Sequence, residues 1–211
     1  MFEVAKHLGA VTRAVEDGTH EGTPVKVVVA SRTYPTDAAD LWSALTDPER
    51  IPRWFAPVSG DLRLGGRFQV EGNAGGEVIT CAEPRHFAIT WEIGGETSWV
   101  DVHLEDAGDG TTLTLRHAAD VSGNEHWPTY GPGAVGVGWE LGLMGLAEHL
   151  ATGAPMRHDE VEAWGASADG RTYMAGSATQ WGEADAAVSD DPDASRAAAA
   201  RTAAFYTGAD A

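Results

Sequence analysis

The sequence predicts an α+β fold: a curved antiparallel sheet wrapped around one long C-terminal helix, with a helical extension beyond it. Three observations carry this. Hydrophobicity of period two dominates from Gly60 to Asp120. One long helical pattern follows, from Gly133 to about Ala151, in which Trp139, Leu143, Leu146 and Leu150 form a continuous apolar stripe. After Gly153-Ala154-Pro155 the composition turns alanine-rich. A single helix cannot bury its own stripe, so the sheet must curl around it.

The elements follow in order. Val11–Glu16 and Pro24–Tyr34 flank a polar stretch with two glycines, a hairpin signal. Thr36 or Asp37 caps a helix to Leu45, and Asp47-Pro48 starts a short helix to Phe55. Leu62 and Leu64 alternate until Gly65-Gly66 interrupts them, and Phe68 and Val70 continue the pattern. Strands 77–82 and 86–93 flank Pro84-Arg85. Strands 98–105 and 111–119 flank a turn at 107–110. Parity sets the registers. Asp106 opposite Thr111 puts Leu104 on Leu113, Val102 on Leu115 and Val100 on His117, with Asp101 facing Arg116 on the other side. In the earlier hairpin Val78, Thr80 and Ala82 face Trp91, Ile89 and Phe87. Residues 121–132 read as a loop. Beyond the long helix, helical patterns cover 159–164, about 169–188, and a last one from Asp191-Pro192 that ends before Gly208. Trp164, Tyr173, Met174, Trp181, Phe205 and Tyr206 are expected to anchor this extension.

The chain has 211 residues, enough to bury a core without staples. It carries 14 basic against 32 acidic residues, a net charge of −18. That balance excludes a nucleic-acid binder, which needs clustered cations, and disfavours anionic membranes. The single cysteine, Cys81, excludes an internal disulfide and a cysteine-based metal cluster. Without a long apolar run or leader pattern, the expected location is cytoplasmic. No GxSxG, HExxH or HxxxH spacing and no phosphate loop occurs, so no catalytic residue, metal or cofactor is assigned.

The run Asp47-Pro48-Glu49-Arg50-Ile51-Pro52-Arg53-Trp54-Phe55, followed by Gly60-Asp61-Leu62-Arg63-Leu64-Gly65-Gly66-Arg67-Phe68, resembles bacterial homologues of the activator of the 90-kDa heat-shock protein ATPase. Thr90-Trp91-Glu92, the strand from Gly110 to His117 and Gly138-Trp139 agree in order, and the resemblance spans about residues 22–152. These proteins are START-like members of the SRPBCC superfamily. The resemblance implies a helix-grip fold, and the N-terminal hairpin and the helical tail lie outside its core pattern. It also implies a cavity between sheet and helix. The expected domains are residues 1–152, hairpin extension included, and residues 153–211, a helical extension docked on them by the large side chains named above.

The residues expected to line that cavity are Trp54, Phe55, Phe68, Trp91, His117, Trp127, Trp139, Gly142 and Leu143. Aromatic concavities with a few polar groups suit small apolar ligands. His117 is expected on the apolar face, where it orients a ligand or is a satisfied structural histidine bonded to a backbone carbonyl or to Tyr130. His103 is read as surface, and His86 as beside a loop. Arg53 and Arg67 flank the mouth, either as partners for a ligand carboxylate or as surface ion pairs. Gly138, Gly142 and Gly145 share one side of the long helix, either to keep a cavity open or to admit a close neighbour. The expected function is non-enzymatic binding of an apolar or amphipathic small molecule, with a homodimer also admitted. The alternatives are a chaperone co-factor or interaction module, and a polyketide-cyclase-like enzyme using His117.

Overall fold

The computed structural model describes residues 3–123 and 126–209. A short helix α1 (Val4–Gly9) precedes the expected hairpin, β1 (Thr12–His20) and β2 (Thr23–Tyr34). The hairpin turns at Glu21-Gly22, both with positive φ. Asp37 caps α2 (Ala38–Thr46) by accepting a 2.8 Å hydrogen bond from Asp40 N. The helix expected from Pro48 to Phe55 is only a 3-10 turn, Ile51–Arg53. Pro52 cannot donate to the carbonyl of Pro48, and its ring would clash there, so an α-helix cannot propagate.

Six strands follow: β3 (Val58–Gly60), β4 (Arg67–Val70), β5 (Gly75–Ala82), β6 (His86–Ile93), β7 (Glu96–Asp106) and β8 (Thr111–Ala119). The Leu62–Leu64 alternation is not a strand. Gly65 adopts φ +76°, Gly66 N closes a turn on Arg63 O, and Leu64 is 62% exposed. The two glycines bond β5 instead, through Gly65 N to Val78 O and Val78 N to Gly66 O. The loop expected at 121–132 contains a short helix, α3 (His126–Tyr130). The long helix α4 spans Gly133–Thr152, and α5 (His158–Gly165), α6 (Ala168–Ala186) and α7 (Pro192–Thr207) follow.

The sheet has eight strands in the order β1-β2-β8-β7-β6-β5-β4-β3 and does not close into a barrel. The β7–β8 register is the expected one, from Asp106↔Thr111 to Val100↔His117. The β5–β6 register differs: Val78 faces Ile89, Thr80 faces Ala88 and Ala82 faces His86. A bulge at Ile79 adds one residue to β5, which parity counting cannot see.

Contacts divide the chain into two compact units. Two of the four boundaries fall inside β2 and α4, and the others follow β8 and Met156. The first unit gathers Met1–Ala30, Asp120–Leu141 and Arg157–Ala211. Its centre holds Tyr173 and Trp181, both fully buried. A Cβ at Gly136 would overlap the Trp181 ring, so glycine there lets the indole lie on the backbone of α4. Arg13 on β1 grips the buried Glu140 of α4 through two 2.6 Å bonds, and Tyr173 Oη donates to Glu140 O at 3.3 Å. Of the expected anchors, Met174 is also buried, and Trp164 and Tyr206 are half-buried. Phe205 is not a core residue. It is 64% exposed and rests against Tyr130.

The second unit comprises Ser31–Ala119 and Gly142–Met156. Leu104, Leu113, Val100 and Val102 build the inner face of its sheet. On that side Trp42 of α2 meets Phe87 edge-on, with ring centroids 5.7 Å apart. Tyr34 Oη donates to Leu143 O at 3.1 Å, which ties β2 to the C-terminal half of α4.

Candidate ligand-binding face

Alternation along the strands puts Phe68 of β4, Trp91 of β6 and His117 of β8 on the inner face of the second unit. Phe68, Val70 and Val78 form a buried apolar cluster, with Phe55, Leu62, Ile89 and Trp91 packed against it. Phe68 and Trp91 have centroids 6.5 Å apart, and Trp54 and Phe55 5.5 Å. Trp54 is fixed by its indole N–H, which donates to Ala44 O at 2.9 Å. A Cβ on Gly142 would sit 3.6 Å from the Phe55 ring and 3.9 Å from Trp54. This half of α4 therefore faces the two aromatics. Leu143 is buried beside it.

Polar groups continue the patch. Ser98, opposite Trp91 in the β6–β7 register, donates to Trp91 O at 3.1 Å. His117 Nε2 lies 2.8 Å from the same hydroxyl oxygen. With the Ser98 proton committed to the carbonyl, Nε2 is assigned as the donor and Nδ1 as the nitrogen that carries the lone pair. Burial lowers the His117 pKa from 6.5 to about 4, so the ring is neutral at physiological pH. Ser98 is a partner that neither sequence alternative named, and reading the β6–β7 register would have found it.

The structure thus joins Trp54, Phe55, Phe68, Trp91, His117 and Gly142 into one connected patch. Trp54, Phe55 and Trp91 remain only half-buried within it. Trp127 of α3 and Trp139 of α4 belong to the first unit, where both are half-buried. The three expected glycines separate. Gly145 admits no side chain, because a Cβ would lie 2.5 Å from Trp54 O and 2.9 Å from Met156 Sδ. Gly138 and Gly142 have ordinary clearance, at 3.5 and 3.6 Å. Close approach therefore explains Gly145, as it does the still tighter Gly136. Arg53 donates to Gly153 O, and Arg67 pairs with Glu92 at 2.5 Å. Cys81 is exposed.

An open depression of about 500 Å³ also occurs in this unit, between Pro35–Ala38, Arg85 and the β7–β8 turn. Its lining is half polar, and it lies six residues along β8 from His117, roughly 20 Å at the rise of a strand.

A sheet with this order, a helix laid on its inner face and a connected aromatic patch can be compared with known proteins. The family of activator of Hsp90 ATPase homolog 1-like proteins matches residues 35–151, more than half of the chain. The chain belongs to that family. The helix-grip architecture expected from the resemblance is therefore its fold. Among solved structures, this family member is similar to CalU16 from Micromonospora echinospora. The crystal structure of CalU16 is 34% identical, with a TM-score of 0.59, covering 74% of this chain and 97% of that one. The solution structure of the same protein is 29% identical, with a TM-score of 0.64 and 94% of both chains covered. DynU16, a protein of the dynemicin biosynthetic locus, is 24% identical with a TM-score of 0.53, covering 63% of this chain and 50% of that one. The last likeness concerns the fold alone. Comparison with curated proteins gave no match. No helix among the described residues is long and apolar enough to cross a membrane.

Proposed function

We propose that this family member binds an apolar or amphipathic small molecule on the inner face of its second unit, without catalysing a reaction. The observation that carries this is the incomplete burial of Trp54, Phe55 and Trp91. Each is packed on the Phe68 cluster or its neighbour, yet each keeps apolar surface uncovered. Aromatic surface left half-open beside a buried polar pair suits a ligand that covers the rings. Phe68 forms the floor, Gly142 and Leu143 the helix side, and the Ser98–His117 pair the polar end.

The neutral His117 favours binding over chemistry. A ring that takes its proton only near pH 4 is a poor general base at neutral pH. Its role here is to orient a ligand, not to abstract a proton. The chaperone co-factor reading rests on the family description alone.

The test is a thermal-shift screen of amphipathic and polycyclic metabolites, followed by titration of tryptophan fluorescence. A ligand at a hundred times its dissociation constant adds about 2.7 kcal/mol of stability. Trp91→Ala should weaken binding at least tenfold, about 1.4 kcal/mol, whereas Arg53→Ala should not. A broad screen without a hit, joined to stimulation of a bacterial Hsp90-type ATPase by the protein, would replace this reading with the chaperone one.

A further inference from the structure

The face of the sheet opposite the aromatic patch carries a different chemistry. His86 of β6 stands directly opposite His103 of β7, and Asp101 lies two residues before His103 on the same face. The two imidazoles stack in parallel, with centroids 4.1 Å apart and 8° between their planes. Both Nε2 atoms therefore point the same way, onto one carboxylate. His86 Nε2 is 2.9 Å from Asp101 Oδ2, and His103 Nε2 is 2.6 Å from Oδ1. The ligand atoms of all three residues lie within 4.8 Å of one another. Asp101 Oδ1 is shielded from solvent and, among the described residues, accepts no aligned hydrogen bond. A buried oxygen of this kind requires an explanation, and a cation is one.

We propose that His86, Asp101 and His103 bind a divalent transition cation, zinc(II) foremost. Two imidazole nitrogens and a carboxylate oxygen are a borderline-soft donor set suited to zinc, with the fourth position left to water. Tetrahedral coordination at about 2.0–2.2 Å places ligand atoms roughly 3.3 Å apart. The two nitrogen–oxygen distances, 2.9 and 2.6 Å, are shorter than that spacing, so the carboxylate and the rings must part by less than one ångström to admit the ion. The pairing already positions them, so little ordering entropy remains to be lost on binding. A protein with a net charge of −18 also concentrates cations near its surface. Arg116 opposes this, because the β7–β8 register puts it across from Asp101.

No histidine pair in the sequence shows a metal-ligand spacing along one element. Here the ligands are brought together by a register across two strands. Asp101, expected to pair with Arg116 with His103 on the same face, lies against both histidines.

The test uses tag-free Cys81→Ser protein, which removes the exposed thiol as a competing ligand. Calorimetric titration with zinc chloride should give one equivalent bound at micromolar concentration. Cobalt(II) should give the visible absorption of a tetrahedral site. Asp101→Asn and His103→Ala should each weaken zinc binding at least tenfold, and Arg116→Gln should leave it equal or tighter. His103 is exposed, so His103→Gln keeps the fold and serves as the control if another variant unfolds. Failure to bind one equivalent, or binding that survives both His86→Ala and His103→Gln, overturns the proposal.

Discussion

At the scale of single residues, two buried groups set measurable behaviour. His117 takes up a proton in the unfolded chain near pH 6.5 but in the folded chain only near 4. Protons therefore favour unfolding between those values. The stability contributed by keeping the ring neutral is complete above about pH 6.5 and declines as the pH falls to about 4. The loss is on the order of 3 kcal/mol. Stability from urea melts should fall with decreasing pH across this range more steeply for the native chain than for His117→Gln. If the two pH profiles are parallel, His117 is not the source of the slope. The Arg13–Glu140 pair makes the second prediction. Its side chains are 6% and 0% exposed, so losing one partner strands a charge in the interior. Arg13→Ala should cost about 3–5 kcal/mol, and the double change Arg13→Met with Glu140→Leu distinctly less. Denaturant midpoints of the three proteins decide this. Neither group's environment was equally visible beforehand. His117 announced itself by parity on an apolar strand, whereas Arg13 and Glu140 lie 127 residues apart with no local pattern to connect them.

At the scale of elements, the two glycines of α4 that face Trp54 should respond in opposite directions. Gly142→Ala places a methyl at ordinary contact distance from Phe55 and improves helix propensity, so stability should rise by about 1 kcal/mol. Gly145→Ala drives the same methyl into Trp54 O and Met156 and should lower the melting temperature. Equal effects at the two positions would show that backbone approach does not distinguish them. The sequence alone placed all three of these glycines on one side of the helix but could not say which neighbour came close, since that depends on a non-local contact. Strands tell the same story. The β7–β8 hairpin was legible because its two strands pair without interruption through a single turn. The β5–β6 hairpin was not, because the bulge at Ile79 exchanges the faces part-way along. Likewise Pro48 and Pro52, spaced four apart, cut a nominal helix to one turn, a conflict the capping signal concealed.

At the scale of the molecule, the helical patterns after Pro155 were legible in position but not in affiliation. Alanine-rich segments show where helices lie. Only the structure reveals that α6 and α7 share a core with α1, β1 and the first half of α4. Ending the chain after Met156 removes Trp181 and Tyr173, both fully buried. The truncated protein should melt at lower temperature and bind a hydrophobic dye. Unchanged stability would mean that the extension is dispensable to the fold.

That affiliation also sets an order of events during synthesis. The first unit draws on three separated stretches, the last of them holding α5, α6 and α7. A ribosome delivers Arg13 and the rest of β1 early, yet Glu140 emerges more than a hundred residues later, and Trp181 later still. The second unit needs nothing beyond Met156 and can consolidate while translation continues. Until α6 emerges, the N-terminal strand must wait with its apolar side uncovered. The vulnerable interval is therefore set by the pace at which the segment after Met156 is translated.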